Sequence, residues 1–230
     1  MLWMILVATI GRRRDKFAKL LDGLLPQTDS YGGEVQVRAL WNNGERPLSH
    51  VRQRLVEQAV DERAAYLSFV DDDDMPAGFY VDEVVAAISR YAGTAASFTL
   101  GGPLFPDYVG WRMQHYADGV PSKPTYHSLA HGRWHDDDAG YYRDVSHLNP
   151  MRTSIAATVD LRHTEPPEDV SWVDQLRGRL ATEVVIDPDK VMYHYYATGD
   201  STWMPGRVTD EGHEQLTVEH PNFAYVSWKD

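Results

Sequence analysis

The apolar run Tyr66-Leu-Ser-Phe-Val70 ends in four consecutive aspartates, Asp71 to Asp74, and this junction constrains the fold more than any other stretch. A short run rich in aromatic and β-branched residues reads as a buried strand. Carboxylates at its C-terminal end lie where open α/β sheets hold their ligands. Side chains alternate along an extended backbone, so Asp71 and Asp73 should face one way and Asp72 and Asp74 the other. Like charges held together are costly unless a cation neutralises them. Carboxylate oxygens suit hard divalent ions such as Mg²⁺ or Mn²⁺, which in turn hold phosphate oxygens. An isolated acidic run is usually a solvated turn, but the strand before this one and Met75-Pro76 behind it favour a metal site.

The first hundred residues alternate strand and helix. Trp3 to Ala8 reads as the first strand, followed by a turn at Thr9-Ile-Gly-Arg12. From Asp15 to Leu25 the apolar positions Phe17, Leu20, Leu21, Leu24 and Leu25 form the stripe of an amphipathic helix, stopped by Pro26. Glu34 to Trp41 alternates, with Val35, Val37, Ala39 and Trp41 on one face, and reads as the second strand. Ser49 is placed to N-cap a helix running to about Ala59. A further helix spans Val81 to Tyr91, and a fourth strand spans Ala96 to Leu100. This β-α-β-α-β-α-β order predicts a mainly parallel sheet with right-handed crossovers.

Beyond Pro103 the pattern changes. Residues 104 to 146 mix Pro, Gly, Tyr, His and Trp without clear periodicity and read as irregular structure or short strands over the sheet edge. Helical pattern returns from Ser171 to Leu180, followed by extended segments at Glu183 to Ile186 and Val191 to Tyr196. With no repeat and no low-complexity linker, residues 1–230 read as one domain, residues 1–103 forming one half and 104–230 the other.

Composition excludes several classes. Without cysteine, there can be no disulfide, thiolate metal site or cysteine nucleophile. A net charge of -12 argues against a general basic surface for nucleic acid, though not against a local basic cleft. The apolar start, Met1 to Ala8, has no basic leader and is too short to span a bilayer. It reads as a buried strand of a cytoplasmic protein that does not enter a membrane.

Several residues lie where a nucleotide sugar would be handled. Thr9 and Arg12 follow the first strand, and Asn42 and Asn43 the second, at the edge where donors meet a ligand. Arg52, in the next helix, can contact a base or phosphates, although an isolated arginine there is ordinarily an exposed helix cation. His147 can complete a metal shell or position a phosphate, although a histidine beside a proline turn is commonly structural. Glu168 and Asp169 stand at a helix start, where carboxylates often only cap. Asp169 is the expected general base for an acceptor hydroxyl, with Glu168 orienting it.

Taken in order, these motifs resemble the inverting GT-A glycosyltransferases of the family 2 type over roughly residues 4 to 203. Finer details resemble the TET-associated DNA glycosyltransferases of bacteriophages and the base J glucosyltransferase type. They are Ala8-Thr-Ile-Gly-Arg-Arg13, Val51-Arg-Gln-Arg-Leu-Val56, Phe69-Val-Asp-Asp-Asp-Asp74, Arg143-Asp-Val-Ser-His-Leu-Asn-Pro150, Glu168-Asp-Val-Ser-Trp172, Thr182-Glu183 and Met192-Tyr-His-Tyr195. The resemblance implies a GT-A α/β fold, a nucleotide-sugar donor (UDP-sugar foremost), Mn²⁺ or Mg²⁺, and inversion at the anomeric carbon. For the phage group it also implies a 5-hydroxymethylpyrimidine acceptor in DNA, typically 5-hydroxymethylcytosine, in a viral DNA hypermodification. The four aspartates leave two registers for the metal motif. Asp71 and Asp73, with His147, form the expected metal set, and Asp72 and Asp74 are the alternative. Asp71 and Asp72 are also expected to contact the donor.

The middle segment interleaves aromatic and cationic residues, a pattern that stacks bases and holds phosphates. Arg112, Arg133, Trp134 and Arg143, with Asn149 and Trp172, are the expected acceptor contacts. An aromatic lid over the donor is the plainer alternative. Asp136-Asp137-Asp138 interrupts the patch. The competing functions are a GT-A enzyme for a cell-surface glycan, lipid or protein, a nucleotidyltransferase with the same pocket, and a non-catalytic sugar-nucleotide binding module.

Overall fold

The computed structural model describes residues 1–44, 46–93, 98–99, 102–103, 105–162, 168–197 and 214–228. The first half contains β1 (Trp3–Thr9), α1 (Arg14–Leu24), β2 (Val35–Trp41), α2 (Leu48–Asp61), β3 (Tyr66–Phe69), β4 (Met75–Pro76) and α3 (Tyr80–Ala92). It ends in the short strands β5 (Phe98–Thr99) and β6 (Gly102–Pro103). The second half contains β7 (Tyr108–Ala117), β8 (Val120–His127), β9 (His135–Asp136), β10 (Tyr141–Arg143), β11 (Met151–Arg152) and α4 (Thr153–Ala156). It continues with α5 (Glu168–Leu176), β12 (Glu183–Val185), β13 (Val191–Ala197) and β14 (Phe223–Tyr225).

Among the described residues, one large sheet runs in the order β14-β2-β1-β3-β11-β7-β8-β10-β9, with β12 and β13 also on β7 and β4 on β13. The β14, β2, β1 and β3 strands are parallel, and β11 joins β3 antiparallel. The fold is therefore the expected α/β class, a parallel block continued by a mixed one. The strand expected at residues 96–100 does not extend the parallel block as far as it is described. Phe98–Thr99 pairs antiparallel with Gly102–Pro103 in a separate two-stranded sheet, and residues 96, 97 and 100 lie outside the described residues.

Both faces of the parallel block are covered, which explains why its strands are continuously apolar. In β1, Trp3, Ile5 and Val7 point into the core with α1 and α3, while Met4 and Leu6 point into the core with α2 and α5. This two-residue alternation is the pleat itself. Burying each such side chain contributes about 1.5–3 kcal/mol. Polar atoms in the core are matched where they occur: the Trp3 indole Nε1 donates to Ser68 Oγ at 3.2 Å.

Local expectations failed in three places. Pro26 ends the α-helix, but the chain continues in 3₁₀ turns from Leu25 to Tyr31, because proline is tolerated at the start of a helical segment. Ser49 does not cap α2, which begins at Leu48 after Pro47 and has no side-chain cap. Most of all, the segment read as irregular structure or short strands holds the long β7 and β8, of ten and eight residues and paired antiparallel, beside the short β9 and β10. They are joined at Asp118 and Gly119, both at positive φ (50° and 77°), as a two-residue hairpin turn demands. No described helix is long and apolar enough to cross a membrane.

β7 is the spine of the second half, pairing with β11 and β12 near its start and with β8 and β13 further along. A methyl group added at Gly110 would stand 2.5 Å from the His127 carbonyl oxygen. Gly110→Ala should therefore force β7 and β8 apart and cost about 1–3 kcal/mol, read as a lower urea midpoint at unchanged slope. A wild-type midpoint would show that the strands yield at no cost.

Candidate active site

The first three strands deliver their C-terminal ends to one edge, with Thr9 directly opposite Trp41. After β3 the chain turns through the aspartates, the Asp74 amide donating to the Asp71 carbonyl at 3.2 Å. This turn, not an extended strand, sorts the side chains. Asp72 and Asp74 are 2 % and 1 % exposed, whereas the Asp71 side chain is 30 % exposed. β13 supports the turn from beneath: the Asp71 amide donates to Tyr193 Oη at 3.0 Å, and the Tyr196 amide donates to Asp74 Oδ1 at 2.9 Å.

Two arginines meet these carboxylates. Arg13 Nη1 lies 2.7 Å from Asp72 Oδ1 and 3.2 Å from Asp73 Oδ1, and Arg52 Nη2 lies 2.9 Å from Asp71 Oδ1. Arg12, expected to act from the same turn, is exposed. The 3₁₀ geometry of Gly11–Arg13 carries the next residue inward instead, so Arg13 was passed over in a triplet of arginines that looks uniform in sequence.

Phe69 organises the surroundings. The Arg52 guanidinium lies 5.5 Å over its ring, the His147 ring is 6.0 Å away, and Trp172 of α5 meets it edge-on at 5.8 Å. His147 is fixed further by its carbonyl, which accepts from the Phe69 amide at 3.0 Å, and its Nε2 is 3.9 Å from Asp71 Oδ1. Trp172 thus ties the helix bearing Asp169 to the aspartate turn. Asp169 is half-buried and accepts from the Val170 amide at 2.9 Å. Tyr195, the end of the Met192-Tyr-His-Tyr195 motif and given no role from sequence, marks the space between. Its hydroxyl is pushed up by burial, then by Asp74, Asp71, Asp73 and Asp169. The Glu168 side chain lies outside the described residues.

The remaining expected residues divide between supports and surfaces. Thr9 is buried beside Asp72. Asn42 is also buried and closes its own loop, donating to the Arg46 carbonyl at 2.9 Å and accepting from the Arg46 amide at 3.3 Å. Asn43 is exposed and accepts from the Trp41 indole at 2.8 Å. Asn149 is wholly buried and bonds the Val109 carbonyl at 2.8 Å. With Trp172 equally enclosed, both expected acceptor contacts are supports in the body of the protein.

The aromatic-cationic segment forms a surface. Tyr126 and Tyr142 stack at 5.4 Å, and Tyr142 and His135 at 4.8 Å, across neighbouring strands. The Arg112 guanidinium lies 5.8 Å over Tyr126, and Arg143 lies 4.9 Å over the exposed Trp134 while pairing with Asp136 at 2.7 Å. Arg133 is exposed beside them. A side chain at Gly140 would come within 2.9 Å of the Tyr126 ring, so glycine there leaves the ladder its room. His127, beneath it, is buried and pushed down to about 3, by burial first and then by His115, Arg143, His147 and His131.

Among the described residues, no three His, Asp or Glu side chains converge as a ready-made cation shell. The donor set still fits one hard divalent ion. Three of the four carboxylates touch the two guanidiniums, and four carboxylates against two cations leave two formal negative charges, with Lys16 farther off. Asp73 Oδ2 and His147 Nε2 are buried without a hydrogen-bond partner. Ions of the magnesium type are commonly held by one or two carboxylates plus substrate phosphates.

No protein-family model matches the sequence, and no curated protein sequence matches it. Solved structures do match. Residues 1–349 of S. aureus TarS superpose with a TM-score of 0.60 at 15 % identity, over 85 % of this chain and 60 % of that one. The same TarS segment in complex with UDP-GlcNAc gives 0.59 at 15 % identity, over 89 % and 62 %. In complex with UDP it gives 0.60 at 15 % identity, over 86 % and 61 %. The chain thus spans about 60 % of the TarS segment, and the likeness is one of fold, in keeping with the GT-A α/β class expected from the sequence.

Burial pushes Asp72 up to about 6 against the pull of Arg13, raises Asp73, and raises Asp74 furthest, with Asp71 adding to it. Asp71 moves down. Burial opposes its charge, but Arg52, then His147 and Arg13, outweigh that. A carboxyl raised in the folded protein stabilises it below the ordinary value of 3.8, and that contribution is lost as pH climbs through about 6 for Asp72. The opposite contribution of Asp71 is already complete above 3.8 and stays constant over this window. Thermal stability in chelator should therefore fall from pH 4.5 to 7.5. Asp74→Asn, which can still accept from the Tyr196 amide, should be more stable than wild type at pH 7.5. Equal melting profiles would show that the buried carboxylates carry no such strain.

Proposed function

We propose that this protein is an inverting GT-A glycosyltransferase that moves a sugar from a UDP-sugar to the hydroxyl of a 5-hydroxymethylpyrimidine, foremost 5-hydroxymethylcytosine, in DNA. The observation that carries the transferase reading is the aspartate turn. Four carboxylates and two arginines stand at the C-terminal edge of a parallel block, where such sheets hold nucleotides. The fold likeness to a protein solved with UDP-GlcNAc and with UDP supports it.

In this reading Asp73, with Asp71 and His147, holds a Mg²⁺ or Mn²⁺ ion. When bound, that ion neutralises the charge that builds on a departing diphosphate. Arg13 and Arg52 keep the aspartates oriented, and Arg52 is placed to meet the donor phosphates. Asp169 takes the proton from the acceptor hydroxyl as the sugar bond forms, since a primary alcohol is a poor nucleophile until deprotonated. Tyr195 lines the space between the carboxylates. The Tyr126–Tyr142–His135 ladder, with Arg112, Arg133, Trp134 and Arg143, offers stacking faces and cations to an acceptor base and its phosphates. A base in duplex DNA must be flipped out to reach such a site.

A second acceptor class, a cell-surface glycan, lipid or protein, is favoured by two features. The chain carries a net charge of -12, and Asp136 beside the ladder ties up Arg143. Incubation with hydroxymethylated DNA and a panel of nucleotide sugars, followed by nucleoside mass spectrometry, decides between them. A hexosylated hydroxymethylpyrimidine is expected. Donor turnover with no sugar on DNA would move the acceptor to the second class, and a nucleotide on the acceptor would make the protein a nucleotidyltransferase.

Two substitutions test the roles. Asp73→Asn should lower transfer roughly a hundredfold, and chelator should abolish wild-type transfer. Full activity in excess chelator would remove the metal. Asp169→Asn should cut single-turnover transfer by roughly a hundred- to ten-thousandfold while donor affinity by calorimetry holds. Wild-type transfer by that variant would move the base elsewhere.

A further inference from the structure

At the corner of the sheet edge beyond β2, the Arg46 guanidinium lies over the Trp228 indole, 4.5 Å from the ring centroid. Each partner is positioned independently. Arg46 is carried on the loop that the buried Asn42 carboxamide closes through both the amide and the carbonyl of residue 46. Trp228 ends a strap that follows β14 along the outer side of β2. That strap is fixed by the Val226 amide on the Ala39 carbonyl at 2.7 Å and by Arg54 Nε on the Ser227 carbonyl at 3.0 Å. Arg46 is exposed, and Trp228 is half-buried, with part of its ring packed on the α2 side of the core.

We propose that Arg46, backed by Trp228, forms the surface on which the nucleobase of the donor stacks, so that a C-terminal strap supports the base subsite. This inference rests on the nucleotide-sugar reading above and adds the subsite it leaves open. The aspartate turn that would face the diphosphate stands at the end of β3, and the Arg46 loop at the end of β2, with β1 between them. Two strand spacings separate them, about 10 Å, a distance that a ribose and its diphosphate bridge. The order along the edge is therefore base at β2, ribose at β1, phosphates at β3. Arg46 covers the indole face it lies over, so a flat base stacks on the outer face of the exposed guanidinium, which the indole backs. Because both are ordered before binding, little freedom is lost when a base arrives.

Calorimetric titration of the full chain in Mg²⁺ with UDP and with inorganic pyrophosphate tests this. Arg46→Ala and Trp228→Ala should each weaken UDP binding roughly tenfold, Trp228→Phe should restore most of it, and pyrophosphate affinity should stay unchanged in all three. Arg46 is exposed, so its substitution answers the question even if Trp228→Ala fails to fold. Wild-type UDP affinity in Arg46→Ala would overturn the proposal, whatever Trp228→Ala does. Parallel loss of UDP and pyrophosphate would overturn it too, by showing that the pair only supports the fold. If wild type binds pyrophosphate but no nucleotide, the base subsite falls while the phosphate site stands. If it binds neither, the nucleotide-sugar reading falls with it.

Discussion

Buried negative charge at the end of β3 is the constraint around which the rest of this structure is arranged. Three of the four aspartates are largely enclosed, and enclosure alone would drive them to protonate. The fold answers with groups from distant parts of the chain: Arg13 from the turn after β1, Arg52 from α2, the Tyr193 hydroxyl and Tyr196 amide from β13. None of these contacts is local in sequence. The site therefore cannot form before the parallel block and β13 have docked, and its integrity reports on the whole architecture.

Phe69 and β7 explain how the two halves are held in one geometry. Phe69 is the last residue of β3, and three groups of different chemistry rest on it: a guanidinium, an imidazole and an indole. The ring turns one strand end into a joint between Arg52, His147 and the helix bearing Asp169. A second tie acts at the far end of that helix, where Arg177 Nε bonds the buried Asp144 carboxylate at 2.7 Å. A carboxylate so enclosed is costly unless paired, so α5 is pinned at its middle and at its C-terminal end. A carboxylate carried on such a helix is held to a fixed distance from the aspartate turn, as the transfer proposed above requires.

Much of this was legible in the sequence, and the failures have physical causes. The parallel block was readable because both of its faces are buried, which makes its strands continuous apolar runs. The end of β3 was readable because its apolar run stops at four carboxylates. The turn that follows was not, since extended alternation sends Asp72 and Asp73 opposite ways, whereas Arg13 meets both. The β7–β8 hairpin was missed because the ladder face carries Tyr and His where a core-facing strand would carry Val or Ile, which blurs the two-residue period. Asp118-Gly119, a strong hairpin dipeptide, was the available signal. Choosing Arg13 over Arg12 needed the 3₁₀ turn, and assigning Asn149 and Trp172 to the interior needed the packing of α5 and the 146–150 loop, neither of which spacing encodes.

The charge at the edge also bears on how a donor would enter. In the proposed reading the two guanidiniums in contact with the aspartates are already committed to them, and the four carboxylates outnumber them by two. A diphosphate approaching such a site without a cation meets repulsion that the low dielectric of the edge strengthens. A cation approaching without the diphosphate meets carboxylates partly held by arginine, with few oxygens left to complete its shell. Each therefore improves the site for the other. Linkage requires the effect to be equal in both directions: the factor by which a divalent ion tightens the donor is the factor by which the donor tightens the ion. An acidic site can then select an anionic substrate, because the substrate is recognised together with the ion.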